Sequence, residues 1–101
     1  MTQPESRLSS NILGAVRQRP RVFAWKVWGG DVQMAGLPDI AGIVEGKFFG
    51  IESKMPGKRD NLSPKQELVH ESIRRALGAV KVCCSIKEAV EFVEAVRRGE
   101  A

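Results

Sequence analysis

Gly36-Leu37-Pro38-Asp39-Ile40-Ala41-Gly42-Ile43-Val44-Glu45-Gly46-Lys47-Phe48-Phe49-Gly50-Ile51-Glu52-Ser53-Lys54 is the stretch on which the fold turns. Two apolar runs flank Glu45-Gly46, and charges sit at the far ends. The pattern reads as a β-hairpin with strands Asp39–Val44 and Lys47–Lys54. A two-residue hairpin loop needs positive φ and favours Gly in second place, whereas Glu is a poorer first residue than Asn or Asp, so the turn type stays open. If Val44 pairs with Lys47, Asp39 stands directly opposite Glu52. Opposed residues project to the same face with Cβ atoms about 4.5–5.5 Å apart, and Lys54 joins that face by the two-residue period of a strand. A four-residue loop preserves this pairing; a three-residue loop or a bulge breaks it.

Two carboxylates that close repel when both are ionised, so a cation is needed between them. A hard divalent ion held by oxygen ligands meets that need. With a lysine alongside, the arrangement suits metal-assisted attack of water on a phosphodiester. Charged residues also end strands for solvation alone, so Asp39, Glu52 and Lys54 equally fit a solvated rim.

Working outward, 101 residues make one domain, 1–101. A chain of this size buries about two-thirds of its unfolded surface, enough for a small sheet covered by helices. The 43% hydrophobic content fits a folded chain. No apolar run reaches membrane-spanning length and the N-terminus lacks a signal-peptide pattern, so the expectation is a cytoplasmic protein without a membrane partner. Sixteen Lys and Arg against twelve Asp and Glu give a net charge of +4, a lean towards polyanions. Cys83 and Cys84 are neighbours in an apolar run and would point to opposite faces of a strand, which favours two reduced thiols. No Cys/His spacing suits zinc.

Pro4 to Gln18 reads as a helix in which Leu8, Ile12 and Val16 follow Glu5 at helical spacing, with Leu13 beside them. Glu5 heads this apolar stripe, where an inward carboxylate needs a partner; the helix dipole is a second reason for Glu at that place. Pro20, among Arg17, Arg19 and Arg21, ends the helix. Val22 to Trp28 follows as a strand, with Phe23, Trp25 and Val27 on one face and Lys26 and Trp28 on the other. These aromatics are expected to pack a core in preference to stacking bases. Gly29-Gly30-Asp31 opens a loop to Pro38 that carries no strong order signal and is expected to settle when substrate binds.

Within the hairpin, Ala41, Ile43 and Phe48 share the acidic face, and Ile40, Val44, Phe49 and Ile51 take the other. Two-sided apolarity implies central strands covered above and below. Gly42 and Gly50 mark close approaches, with the first helix the expected neighbour. Met55 to Leu62 is a loop in which Lys58 and Arg59 are either phosphate contacts or a solvated turn. Ser63-Pro64-Lys65-Gln66 has the form of a helix start: Ser as N-cap, Pro at N1, Gln at N3 closing a capping box. That helix is expected to reach about Leu77 and stop at Gly78, with Gln66, Val69, Ile73 and Leu77 on one buried stripe and His70 at the surface or boundary. Ala79 to Cys84 is a short strand. Ser85-Ile86-Lys87-Glu88 repeats the capping-box form and opens a helix over Ile86 to Arg98. Its Ile86, Ala89, Val90, Val93 and Val96 face the sheet, with Lys87/Glu91 and Glu94/Arg98 as outer i,i+4 pairs. The order α-β-β-β-α-β-α gives an α/β fold, a mixed sheet flanked by helices.

The ordered set Gly36-x-Pro38-Asp39, Glu52-Ser53-Lys54 and Ser63-Pro64-x-Gln66 resembles the PD-(D/E)xK nucleases, and within them the small VRR-NUC branch. The likeness runs from about Glu5 to the final helix. It implies a restriction-endonuclease-like core and a metal-dependent DNA nuclease. In that reading Asp39, Glu52 and the Ser53 main-chain carbonyl hold Mg²⁺ or Mn²⁺, with Glu5 as a further acidic residue at the metal. Lys54 orients water or neutralises charge, and Gln66 helps position the water beyond its capping role. Lys58, Arg59 and Lys65 would meet the nucleic-acid backbone. Ser53 departs from the apolar residue expected between Glu and Lys and hints at a wetter far face. Small stand-alone members, as in phages and prophages, resemble Holliday-junction resolvases and imply a homodimer acting on branched DNA. The rival reading is a DNA-binding accessory protein that keeps the fold without cutting; paired carboxylates near phosphate argue against it.

Overall fold

A computed structural model describes residues 3–29 and 34–101. The order is helix α1 (Gln3–Arg17), strands β1 (Val22–Lys26), β2 (Ile40–Val44) and β3 (Lys47–Ser53), helix α2 (Pro64–Arg75), strand β4 (Ala79–Cys83) and helix α3 (Ile86–Arg97). The sheet runs β1-β2-β3-β4, antiparallel except for the parallel β3–β4 pair. A parallel neighbour requires a crossover, and α2 supplies it. This is the mixed sheet flanked by helices read from the sequence. Among the described residues no helix is long and apolar enough to cross a membrane. The loop reading at Gly30-Asp31 falls partly outside the described residues.

The hairpin forms in the expected register, Val44 with Lys47 through Ile40 with Ile51. Its turn puts Glu45 at φ 49° and Gly46 at φ 81°, the primed geometry whose twist matches that of the strands. Glu45 tolerates the left-handed conformation because its carboxylate accepts from Arg21 and Arg97 at 2.8 Å each, tying the hairpin tip to α3.

α1 and α3 cover one face of the sheet. Ile12, Leu13 and Val16 meet Val93 and Val96 over Ala24, Ile40, Phe49 and Ile51 in a single buried core. Phe92, which the sequence pattern left out, is part of it. The partner of Gly42 is not the first helix: a Cβ there would lie 2.3 Å from the Phe49 ring, which folds over the glycine from the neighbouring strand.

On the opposite face only the α2 side is covered. Phe23 is 70% exposed, and Trp25, Ile43 and Phe48 are also exposed, so the aromatics expected in a core lie at the surface. Phe23, Ile43 and Phe48 form one cross-strand row, and the Phe23 and Trp25 rings pack on each other with centroids 5.4 Å apart. Expected two-sided coverage therefore fails at the β1–β2 end, because the crossover helix reaches only β3 and β4.

α2 also ends earlier than its periodicity suggests. Its C-cap is Ala76, Leu77 takes φ 67°, and the Gly78 N–H bonds the Ile73 carbonyl while Leu77 N–H bonds that of Arg74. This is a Schellman motif with leucine in the usual glycine place. Leu77 is consequently 94% exposed instead of continuing the expected stripe, whose Gln66, Val69 and Ile73 are half-buried.

Candidate active site

Each letter of the Gly-x-Pro-Asp run has a separate physical job. Gly36 has φ 88°, and a Cβ there would stand 2.5 Å from the Lys65 carbonyl oxygen, so glycine lets this loop touch the first turn of α2. Pro38 is buried against Gly50, where a Cβ would lie 2.9 Å from its ring. Asp39 follows at the mouth of the hairpin. Its carbonyl accepts from the Val27 N–H at 2.8 Å, and its carboxylate Oδ2 accepts from the Ser53 N–H at 2.8 Å. The residue is thus pinned to both neighbouring strands.

Continuing the hairpin register by one pair sets Asp39 against Glu52, as the sequence predicts. Glu52 is buried, and its Oε1 has no hydrogen-bond partner among the described residues. Burial, and next the nearby Glu52 carboxylate, raise the Asp39 pKa to about 6; the Ser53 N–H and Lys26 oppose the rise. Lys54, held in the parallel ladder by its N–H to the Cys83 carbonyl, brings Nζ within 3.9 Å of Glu5 Oε1. Helix α1 therefore delivers Glu5 to this end of the sheet, at the lysine. Among the described residues no three His, Cys, Asp or Glu side chains form a ready metal cluster. The donor set that fits a hard cation is two adjacent carboxylates plus main-chain oxygen, with one buried carboxylate oxygen still unsatisfied.

Gln66 closes the capping box in both directions: its Oε1 accepts from the Ser63 N–H, and its own N–H donates to Ser63 Oγ. Lys58 and Lys65 are exposed. Arg59 is committed elsewhere, forking onto Glu88 at 2.7 and 2.9 Å and donating to the Val82 carbonyl. Glu88 in turn accepts from the Cys84 N–H, so the second helix start carries the Ser85 cap without the reciprocal half of a capping box. On the outer face of α3, Glu94 pairs with Arg97 and Arg19 instead of Arg98.

Three residues escaped the sequence reading. His70, expected at the surface or boundary, is 1% exposed and places Nε2 3.5 Å from Glu52 Oε1. Lys26 bonds Ser9 Oγ of α1 at 2.7 Å and acts electrostatically on Asp39. Ser9, within an otherwise apolar stripe, is fully buried beneath it. The signal for His70 was its place one turn beyond Gln66 on the same helix face. Ser53 is also fully buried, with Oγ unpartnered among the described residues, so the far face is dry, contrary to the wetter surface its polarity suggested. The buried Cys83 thiol is pushed up to about 12, chiefly by burial, which suits a packing role and not a nucleophile. A groove of about 560 Å³ between α1 and the end of β1 opens at Asp39, bordered by Arg17, Lys26 and the exposed Trp28. No family model and no curated protein matches this chain.

Proposed function

We propose that this chain is a divalent-metal-dependent DNA endonuclease of the VRR-NUC type, acting in the cytoplasm of a bacterium or phage-infected cell. The observation that carries the reading is the Asp39–Glu52 pair, Glu52 buried and Asp39 half-buried, with Asp39 locked to the Ser53 N–H and Lys54 at the same strand end. A second carboxylate set beside Asp39 at a cost to the ionisation of Asp39 has little purpose in a protein that only binds phosphate. Asp39, Glu52 and the Ser53 carbonyl would hold Mg²⁺ or Mn²⁺. When bound, the cation supplies activation of water and neutralisation of phosphoryl charge. Lys54, kept in place by Glu5, orients the attacking water or offsets charge growing on the phosphate. Gln66 has its oxygen in the cap, which leaves its amide nitrogen to hold water. Lys58 and Lys65, with the groove beside Arg17 and Lys26, offer phosphate contacts that carry no base information, so selection by DNA shape is the natural mode.

Paired cuts in a four-way junction need two active sites, and one chain holds one. A homodimer is supported by the exposed Phe23, Trp25, Ile43 and Phe48 on the sheet face that also bears the acidic pair. The decisive experiment is cleavage of a labelled four-way junction and a matched linear duplex with Mg²⁺, with Mn²⁺ and with chelator. Asp39→Ala and Lys54→Ala proteins run alongside. Metal-dependent paired cuts near the crossover, lost in both variants, are the expected result. Tight binding without cutting would overturn the nuclease in favour of a non-cutting accessory protein. Cutting of linear DNA alone would discard the junction preference.

A further inference from the structure

We propose that His70 is a positioning residue for the metal site: its Nε2–H holds Oε1 of Glu52 so that the other carboxylate oxygen faces the cation. The inference rests on the nuclease reading above and adds a residue that neither the motifs nor the helix periodicity assigned.

The geometry is unusual for a helix residue with no job. His70 and Glu52 are 1% and 2% exposed, and the Nε2–Oε1 separation is 3.5 Å. Glu52 Oε1 and both ring nitrogens lack hydrogen-bond partners among the described residues. Buried polar groups are almost always partnered, and leaving one unsatisfied costs about 1–3 kcal/mol. Closing the gap by a few tenths of an ångström gives an ordinary N–H···O bond of about 2.7–3.2 Å. A buried ring with no polar duty would be better replaced by an apolar side chain.

The rest of α2 narrows the choice. Gln66, one turn earlier, has its carbonyl oxygen in the capping box, and Val69 and Ile73 are apolar. His70 is therefore the polar side chain this helix presents to Glu52. The helix itself is placed by the Gly36–Lys65 backbone contact on the loop that carries Asp39. One loop thus sets both the first carboxylate and the helix that steadies the second. Outer-shell partners of this kind orient a ligand and tune the affinity of its site.

The chain holds a single histidine, so its imidazole resonances need no mutagenesis to assign. Mn²⁺ binding is read by the loss of the free-ion electron paramagnetic resonance signal for wild type, His70→Gln and His70→Leu, with circular dichroism as the check on folding. Glutamine can return an N–H near the Nε2 position. Its site should stay within about threefold of wild type, whereas leucine should weaken Mn²⁺ binding roughly 10- to 100-fold. In ¹⁵N spectra of wild type with Mg²⁺, Nε2 should carry a slowly exchanging proton. Normal Mn²⁺ binding by a folded His70→Leu protein overturns the assignment. If the leucine protein does not fold, an unprotonated Nε2 in wild type overturns it instead. Wild type that binds no Mn²⁺ and cuts no DNA with any metal sinks the nuclease reading itself. Wild type that cuts DNA while the leucine variant binds metal normally sinks only the role of His70.

Discussion

The Asp39 carboxylate accepts the Ser53 main-chain N–H at 2.8 Å while its pKa stands raised to about 6 from the ordinary 3.8, chiefly by burial and then by Glu52. The hydrogen bond alone would favour the charged form, so burial and the neighbouring carboxylate win. A raised folded-state pKa means that the folded protein holds this proton more tightly than the unfolded chain. Its contribution is then present at low pH and lost as pH rises from about 4 to about 6. In chelator, this group should lower stability across that window by roughly 3 kcal/mol at most, against the opposite trend of Glu45, Glu88 and Glu94, whose carboxylates are held below the usual range by arginine partners. Asp39→Asn keeps an acceptor for Ser53 and should flatten the slope. Mg²⁺ should restore wild-type stability above pH 6 and do little below pH 4, where protons compete for the site. Melting curves at stepped pH, with and without Mg²⁺, check all three outcomes. Wild-type and Asp39→Asn profiles that run parallel in chelator refute the coupling.

Lys58 and Arg59 are sequence neighbours with different duties. Arg59 clamps Glu88 and the Val82 carbonyl, joining the loop after β3 to β4 and the start of α3. Arg59→Ala should lower Tm by a few degrees. Lys58 is exposed beside it. Lys58→Ala should leave Tm unchanged, weaken DNA binding across sequences and reduce the salt-dependence slope by about one. Binding isotherms at several salt concentrations, with melting curves for both variants, separate the roles. The reverse pattern would make Arg59 the phosphate contact.

Leu77 sits at φ 67° with its side chain 94% exposed, so it holds a costly backbone shape and gains almost no packing in return. The left-handed conformation costs a non-glycine residue about 1–2 kcal/mol, and glycine's greater freedom in the unfolded chain returns about 0.5–1 kcal/mol of that. Leu77→Gly should stabilise the protein by about 0.5–1 kcal/mol, a rise in Tm of about 3–6 °C, without changing DNA cleavage. Urea titration would measure it. Destabilisation would mean that Leu77 is covered by a second copy of the chain.

Readings that depended on neighbouring residues transferred well to three dimensions. The hairpin register followed from one turn and the two-residue period, and with it the meeting of Asp39 and Glu52. The Ser63–Gln66 capping box was legible because its partners are three residues apart. Much of what failed was set at long range. The rotation of α2, which buries His70, is fixed by the Gly36–Lys65 contact between distant segments. Periodicity extended α2 to Leu77 because it carries no information about where the Schellman motif closes. Apolar strand faces revealed what could be buried, while coverage depends on where a crossover helix lands; Phe23 and Trp25 lie beyond its reach. Arg59 looked like a free cation because Glu88, which claims it, lies 29 residues further along.

The uncovered row of Phe23, Ile43 and Phe48 leads to the remaining test. Exposed apolar patches rimmed by polar groups mark interaction surfaces on soluble proteins, and here the patch shares a sheet face with the catalytic candidates. Phe23 lies on the edge strand and is 70% exposed, so Phe23→Glu disturbs little of the monomer's own packing. Wild type at micromolar concentration should have a dimer mass in multi-angle light scattering, and Phe23→Glu should shift it to the monomer with circular dichroism unchanged. If, as proposed, each cut uses one set of Asp39, Glu52 and Lys54, the monomer should still nick DNA with Mn²⁺ while losing paired junction cuts. A wild-type monomer would reject the homodimer. A variant that stays dimeric would move the interface away from this face. Loss of all cutting in a folded monomer would show that the partner contributes to each site.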